Sequence, residues 1–115
     1  MNKENMELME SYNNYLSKLQ PGVIAVIKSI RNENFNKAVD NLLNLVEGLT
    51  WLAAVNNHLQ NLGLVKSIDI NKLNEINQEL VNSITDKDSY LCADILEYGL
   101  LDFLLEIEEK VTDSN

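Results

Sequence analysis

Apolar residues recur three and four positions apart along almost the whole of this 115-residue chain, and only one proline and four glycines interrupt them. That spacing is the signature of helices with one buried face. No Asn-Gly or Asp-Gly hairpin signal competes with it. The reading is therefore all-α, with helices over about 3–31, 35–62, 69–84 and 89–111. The first carries the stripe Leu8, Tyr12, Leu16, Leu19, Val23, Val26, Ile27 and Ile30. The second carries Phe35, Ala38, Val39, Leu42, Val46, Leu49 and Ala53, ending near Leu59. The third carries Leu73, Ile76, Leu80 and Ile84. Gly63 is placed to end the second helix. Ser67 or Asp69 would cap the third, and Asp86 or Asp88 the fourth. Short connectors predict antiparallel neighbours, hence an antiparallel four-helix bundle in one domain spanning 1–115.

Pro21-Gly22 tests that reading, because the pair is a strong turn signal. The apolar phase runs through it, however: Leu16, Leu19, Val23, Val26 and Ile30 step by three and four without a reset. A kinked first helix is expected, at a cost of about 3 kcal/mol for proline in a helix interior. The rival is a new helix with Pro21 at its first position.

The chain also resembles itself. Shifting it by 54 residues lays 16–42 over 70–96 without gaps. Lys18/Lys72, Leu19/Leu73, Ser29/Ser83, Ile30/Ile84, Asp40/Asp94 and Leu42/Leu96 are identical, and the connector "RNEN" falls over "TDKD". Two similar helical hairpins would produce this. So would any two helix pairs of shared period.

The formal charge is −9, and it is uneven. Residues 1–63 hold five basic and six acidic side chains, whereas 64–115 hold four and twelve. An acidic half argues against nucleic acid and anionic membrane as partners, since both require lysine and arginine clusters. No apolar run approaches a bilayer span, and "MNKENMELME" has no apolar leader core. The single cysteine, Cys92, fits a cytoplasmic setting. Asparagine is abundant and arginine occurs once, which reads as a compositional bias rather than a motif.

Catalytic and metal chemistry find little to stand on. With one histidine, His58, and one cysteine, His-x-x-x-His and Cys-x-x-Cys cannot occur, and Val55 stands where a Glu-x-x-His pair would need glutamate. Asp94/Glu97 and Glu106/Glu109 are spaced to share a magnesium ion, but they read first as a solvated acidic stripe. Cys92 reads as a small core residue. No enzyme and no cofactor are expected.

Surface recognition is the stronger lead. Trp51 lies nine residues beyond Leu42, on the opposite side of the second helix at about 100° per residue. Val55, His58 and Leu62 share that back face, with Gly48 and Ala54 at its margins. An exposed Trp51 face would be a docking or homodimer surface. Alternatively, a neighbouring helix covers it. The fourth helix is apolar over most of its circumference, leaving Asp94, Glu97, Asp102 and Glu106 as its polar line. The expectation is a small acidic protein–protein interaction module, an adaptor, chaperone or regulator that self-associates. The alternatives are a binder of a small apolar ligand in the bundle core, and an acidic inhibitor of a basic, nucleic-acid-binding partner.

Overall fold

The structure, a computed structural model, describes residues 2–32 and 34–113, with side chains described as far as Ile107. It is all-α. Helix α1 runs Lys3–Arg31, α2 Phe35–Asn61 and α3 Ile70–Thr85. A fourth helix follows in three joined parts: α4 Ser89–Asp94, a π segment Ile95–Leu101 and α5 Asp102–Asp113. No strand occurs among the described residues. α1 packs on α2, α2 on α3, and the fourth helix closes the ring by packing on both α3 and α1.

Local chemistry fixes where each helix begins and ends. Asn2 accepts from Asn5 N–H at 2.7 Å, Asp69 from Lys72 N–H at 3.1 Å and Asp88 from Leu91 N–H at 3.0 Å. Each side chain satisfies one of the amides that a helix start leaves unpaired. α2 ends at Gly63 with φ of 73°. Gly63 N–H donates to Gln60 O at 2.9 Å and Leu64 N–H to Leu59 O at 3.0 Å, a two-bond cap built on a left-handed residue.

The connectors after α1 and α3 carry the same backbone bonds 54 residues apart. Asn32 N–H reaches Lys28 O as Asp86 N–H reaches Asn82 O. Asn34 N–H donates to Ser29 O at 3.2 Å, and Asp88 N–H to Ser83 O at 2.9 Å. Ala38 N–H and Cys92 N–H then open the next helices from Asn34 O and Asp88 O. Lys87 occupies the left-handed position of the second turn, at φ of 56°. Glu33, its counterpart, lies outside the described residues.

Pro21 sits inside α1, which runs unbroken through it. The reading in which a new helix starts at Pro21 is therefore set aside. Val23, Ile27 and Ile30 remain in the core beyond Pro21, as Tyr12 and Leu19 are before it, so the buried stripe keeps its phase. Both Pro21 and Gly22 are exposed, and a Cβ on Gly22 would meet nothing within 4 Å. With no contact to lose, helix propensity decides: Gly22→Ala is expected to stabilise the protein by about 1 kcal/mol, read as a higher urea midpoint with unchanged slope.

The π segment changes how the fourth helix faces the core. Cys92, Leu96, Leu100 and Leu104 are all buried at steps of four. In a plain α-helix each such step drifts by about 40°, so the last of the four would have turned away from the first. The wider π turn, closed by bonds to the fifth residue back, takes up that drift. It holds one residue more than the matching stretch of α2. Up to Leu42/Leu96 the two helices correspond at 54 residues. From Leu100, within the π segment, onward the buried pairs Leu45/Leu100 and Leu49/Leu104 correspond at 55.

Candidate interaction surface

The face of α2 around Trp51 is largely covered. α1, of 29 residues, packs on α2, of 27, with Asn5 reaching His58, Tyr12 reaching Asn56 and Tyr15 reaching Trp51. Tyr15 of α1 meets Trp51 edge to face, with centroids 5.6 Å apart and planes at 72°. Gly48 makes the approach possible: a Cβ there would overlap the Tyr15 hydroxyl and ring. Trp51 is half-buried in this contact, and Val55 belongs to the core at 7% exposure. His58 is exposed and its Nε2 lies 3.3 Å from Asn5 Oδ1. Leu62, the α2 cap residue, stands exposed beyond it. Of the two readings of this face, open or covered by a neighbouring helix, Trp51 and Val55 follow the second, while His58 and Leu62 stand exposed. The N-terminal half of α1 is the neighbour that covers it.

Beneath this contact lies a group that the sequence reading passed over. Asn56 is completely buried. Its Nδ2 donates to the Tyr12 hydroxyl and to Lys66 O, both at 2.8 Å, and its Oδ1 receives Ile68 N–H at 3.4 Å. One side chain thus ties α1, α2 and the 62–69 connector together. Burial raises the Tyr12 hydroxyl above its usual pKa of 10.0, and the Asn56 hydrogen bond opposes the shift. Asn77 plays a smaller part between α3 and α2, donating to Val46 O at 3.3 Å and Thr50 Oγ1 at 3.1 Å. Its buried Oδ1 has no partner.

The open surface is on the fourth helix. Of the seven large apolar side chains exposed among the described residues, four lie there: Tyr90, Leu91, Tyr98 and Leu105. Tyr98 is 68% exposed and Tyr90 85%. Tyr90, Asp94, Tyr98, Asp102 and Glu106 follow at steps of four, the same spacing as the buried line, so the helix carries an outer row opposite its inner one. Arg31, at the end of α1, pairs with Glu97 at 2.6 Å and reaches Asp94 at 3.5 Å. Lys72 of α3 pairs with Glu106 at 3.6 Å and lies 5.9 Å from the Phe103 ring centroid. All these ion pairs are solvent-exposed, so each contributes at most about 1 kcal/mol. Asp102 makes no ion pair among the described residues. Glu109, the partner of Glu106 in the second acidic pair, lies outside the described side chains.

Little else in the molecule offers chemistry. Cys92 is buried, and burial first, then the charge of Asp88, raises its thiol pKa, opposed by a hydrogen bond with Ser83. Such a thiol is a poor nucleophile. No group of three or more metal-ligating side chains gathers among the described residues. No described helix is long and apolar enough to cross a membrane. An apolar groove of about 380 Å³ lies between α1 and α2, with Lys18, Gly22, Val26 and Asn44 among its lining residues.

A family described as a domain of unknown function, DUF8042, matches residues 7–110. The chain belongs to the DUF8042 family. The match begins in the first turns of α1 and ends in α5, so the exposed row on the fourth helix and the Asn56 junction both lie within the DUF8042 domain. No curated protein and no solved structure matches the chain.

Proposed function

We propose that this protein is a small protein–protein interaction module that docks its partner on the outer face of the fourth helix. Its framework, in this reading, is an antiparallel four-helix bundle with α1 bent at Pro21. The short connectors and the closed ring of helix contacts support that arrangement. A cytoplasmic setting fits its one thiol, buried and unpaired.

One observation carries the functional reading: four of the seven large apolar side chains exposed among the described residues fall on the fourth helix, while Met6, Leu43 and Leu62 are scattered over α1 and α2. Scattered exposed leucines need no explanation, whereas a concentration of them on one element marks a contact surface. The acids Asp94, Asp102 and Glu106 then supply charge within that surface, with Glu97 beside them.

Tagged wild type, Tyr98→Ser and Trp51→Ala proteins, each shown to be helical and cooperatively folded, test this on a native lysate by quantitative mass spectrometry. The expected result is that partners bound by wild type persist on Trp51→Ala and are lost from Tyr98→Ser. Equal recovery on wild type and Tyr98→Ser would refute the assignment.

A second reading, binding of a small apolar molecule, has the α1–α2 groove behind it. That groove lies beside Gly22, on the side of α1 that faces α2, so its occupant would be blocked by bulk at Gly22 and indifferent to Tyr98.

A further inference from the structure

The outer face of the fourth helix also states what kind of partner it fits. We infer that its occupant is a basic amphipathic helix of another protein, lying along residues 90–106. This rests on the interaction reading above and narrows it to one chemistry.

The first argument is charge. Residues 64–115 hold twelve acidic and four basic side chains. On the face itself the exposed acids Asp94, Asp102 and Glu106 alternate with Tyr98 and Tyr90. Arg31 and Lys72 reach this row only from its edges, at Asp94 and Glu106. Asp102, beside Tyr98 in the middle, makes no ion pair among the described residues. An incoming lysine or arginine supplies what that position lacks. The same charges exclude the other occupants. A second copy would bring the same acids against these, and like charges facing each other oppose docking. Nucleic acid and anionic lipid are repelled outright.

The second argument is shape. The row covers 17 residues from Tyr90 to Glu106, about 24 Å over its 16 steps at 1.5 Å each, or four to five helical turns. The π segment holds the row in line by taking up the drift that an α-helix would accumulate. A straight ridge of this length, flanked by Leu91 and Leu105, suits a second helix laid beside it with apolar residues every three or four positions. Exposed tyrosine rings can take guanidinium or ammonium groups as well as apolar side chains, and Tyr90 and Tyr98 are both exposed.

The probe is a fluorescently labelled 18-residue amphipathic peptide of leucine and lysine, set against the same peptide with glutamate for lysine. Anisotropy is read on the full-length protein. The basic peptide is expected to bind at least tenfold more tightly than the acidic one, and more weakly as salt is raised. Tyr98→Ser and Asp102→Lys are each expected to weaken it at least tenfold. Glu75→Lys makes the same charge change on an exposed site of α3 and is expected to leave affinity within about twofold. Equal binding of the two peptides, or equal losses from Glu75→Lys and Asp102→Lys, would overturn the inference, the latter because net charge alone would then explain the binding. So would a dimer seen by sedimentation that Tyr98→Ser dissolves, since that would make a second copy the occupant. If the peptide fails while Tyr98-dependent capture from the lysate persists, the partner chemistry is wrong and the interaction reading stands. If both fail, the face is not a docking site.

Discussion

Asn56→Ala is expected to destabilise the protein by about 3 kcal/mol, a large share of the 5–15 kcal/mol that holds a domain of this size together. The side chain is fully buried and makes three hydrogen bonds, to Tyr12, Lys66 O and Ile68 N–H. Its net contribution while intact is modest, since each bond replaces one with water. The loss is larger because the partners are left behind. The Tyr12 hydroxyl is itself buried at 3% exposure and would lose its donor, and a cavity would remain where the amide was. Asn56→Leu separates the two effects. It restores volume but not hydrogen bonding, and is expected to recover about 1 kcal/mol at most. Adding Tyr12→Phe to Asn56→Leu removes both polar partners of one bond, so the pair should be less destabilising than the sum of the singles. Urea unfolding of the four proteins measures this coupling. Additive effects would mean that the Tyr12–Asn56 bond contributes nothing on its own.

That Asn56 went unnoticed in the sequence is instructive. The chain is rich in asparagine, and most of these side chains lie in water, where they signal nothing. Periodicity detects apolar residues that turn inward. It is silent on a polar residue in the same position, and Asn56 occupies a core position of α2 beside Val55 and Leu59. The helix ends were legible for the opposite reason. Asp69, Asp88 and Gly63 act locally, through bonds to residues three to five positions away, so spacing narrowed the first two to a choice with Ser67 and Asp86 and placed Gly63.

The fourth helix was half legible. Its apolar residues seemed to cover most of the circumference because the wheel was drawn at one constant angle. Cys92 and Leu104 both face the core, yet they fall on different sides of such a wheel. The π segment between them corrects the register, and nothing in "ILEYGLL" announces a π turn except a glycine that any helix tolerates. Once the register is corrected, the apolar excess shrinks to Tyr90, Leu91, Tyr98 and Leu105. The back face of α2 was left open between two readings, because which neighbour lies against it is a longer-range question. Trp51 packs on Tyr15 of α1 and Val55 is buried in the core, and that follows from tertiary packing rather than from the periodicity of α2.

Gly48→Ala tests that packing through a reversal of sign. In an exposed helix interior, alanine is favoured over glycine by about 1 kcal/mol. At Gly48 the new methyl group would enter space held by the Tyr15 hydroxyl and ring. Either Tyr15 swings off Trp51, losing an edge-to-face contact worth about 1 kcal/mol together with buried area, or the two helices move apart. Overpacking of this kind costs about 1–3 kcal/mol and outweighs the propensity gain. The net expectation is a loss of about 2 kcal/mol. In a Tyr15→Ala background the obstacle is gone, and the same Gly48→Ala change should stabilise by about 1 kcal/mol. Trp51 is the sole tryptophan, so its emission reports the local event directly. It should shift to the red in Gly48→Ala as the Tyr15 ring leaves, and it should be the same in Tyr15→Ala with or without the added methyl group. Stabilisation by Gly48→Ala in the wild-type background would show that Tyr15 does not rest on Gly48. The face of α2 around Trp51 would then be open for docking after all.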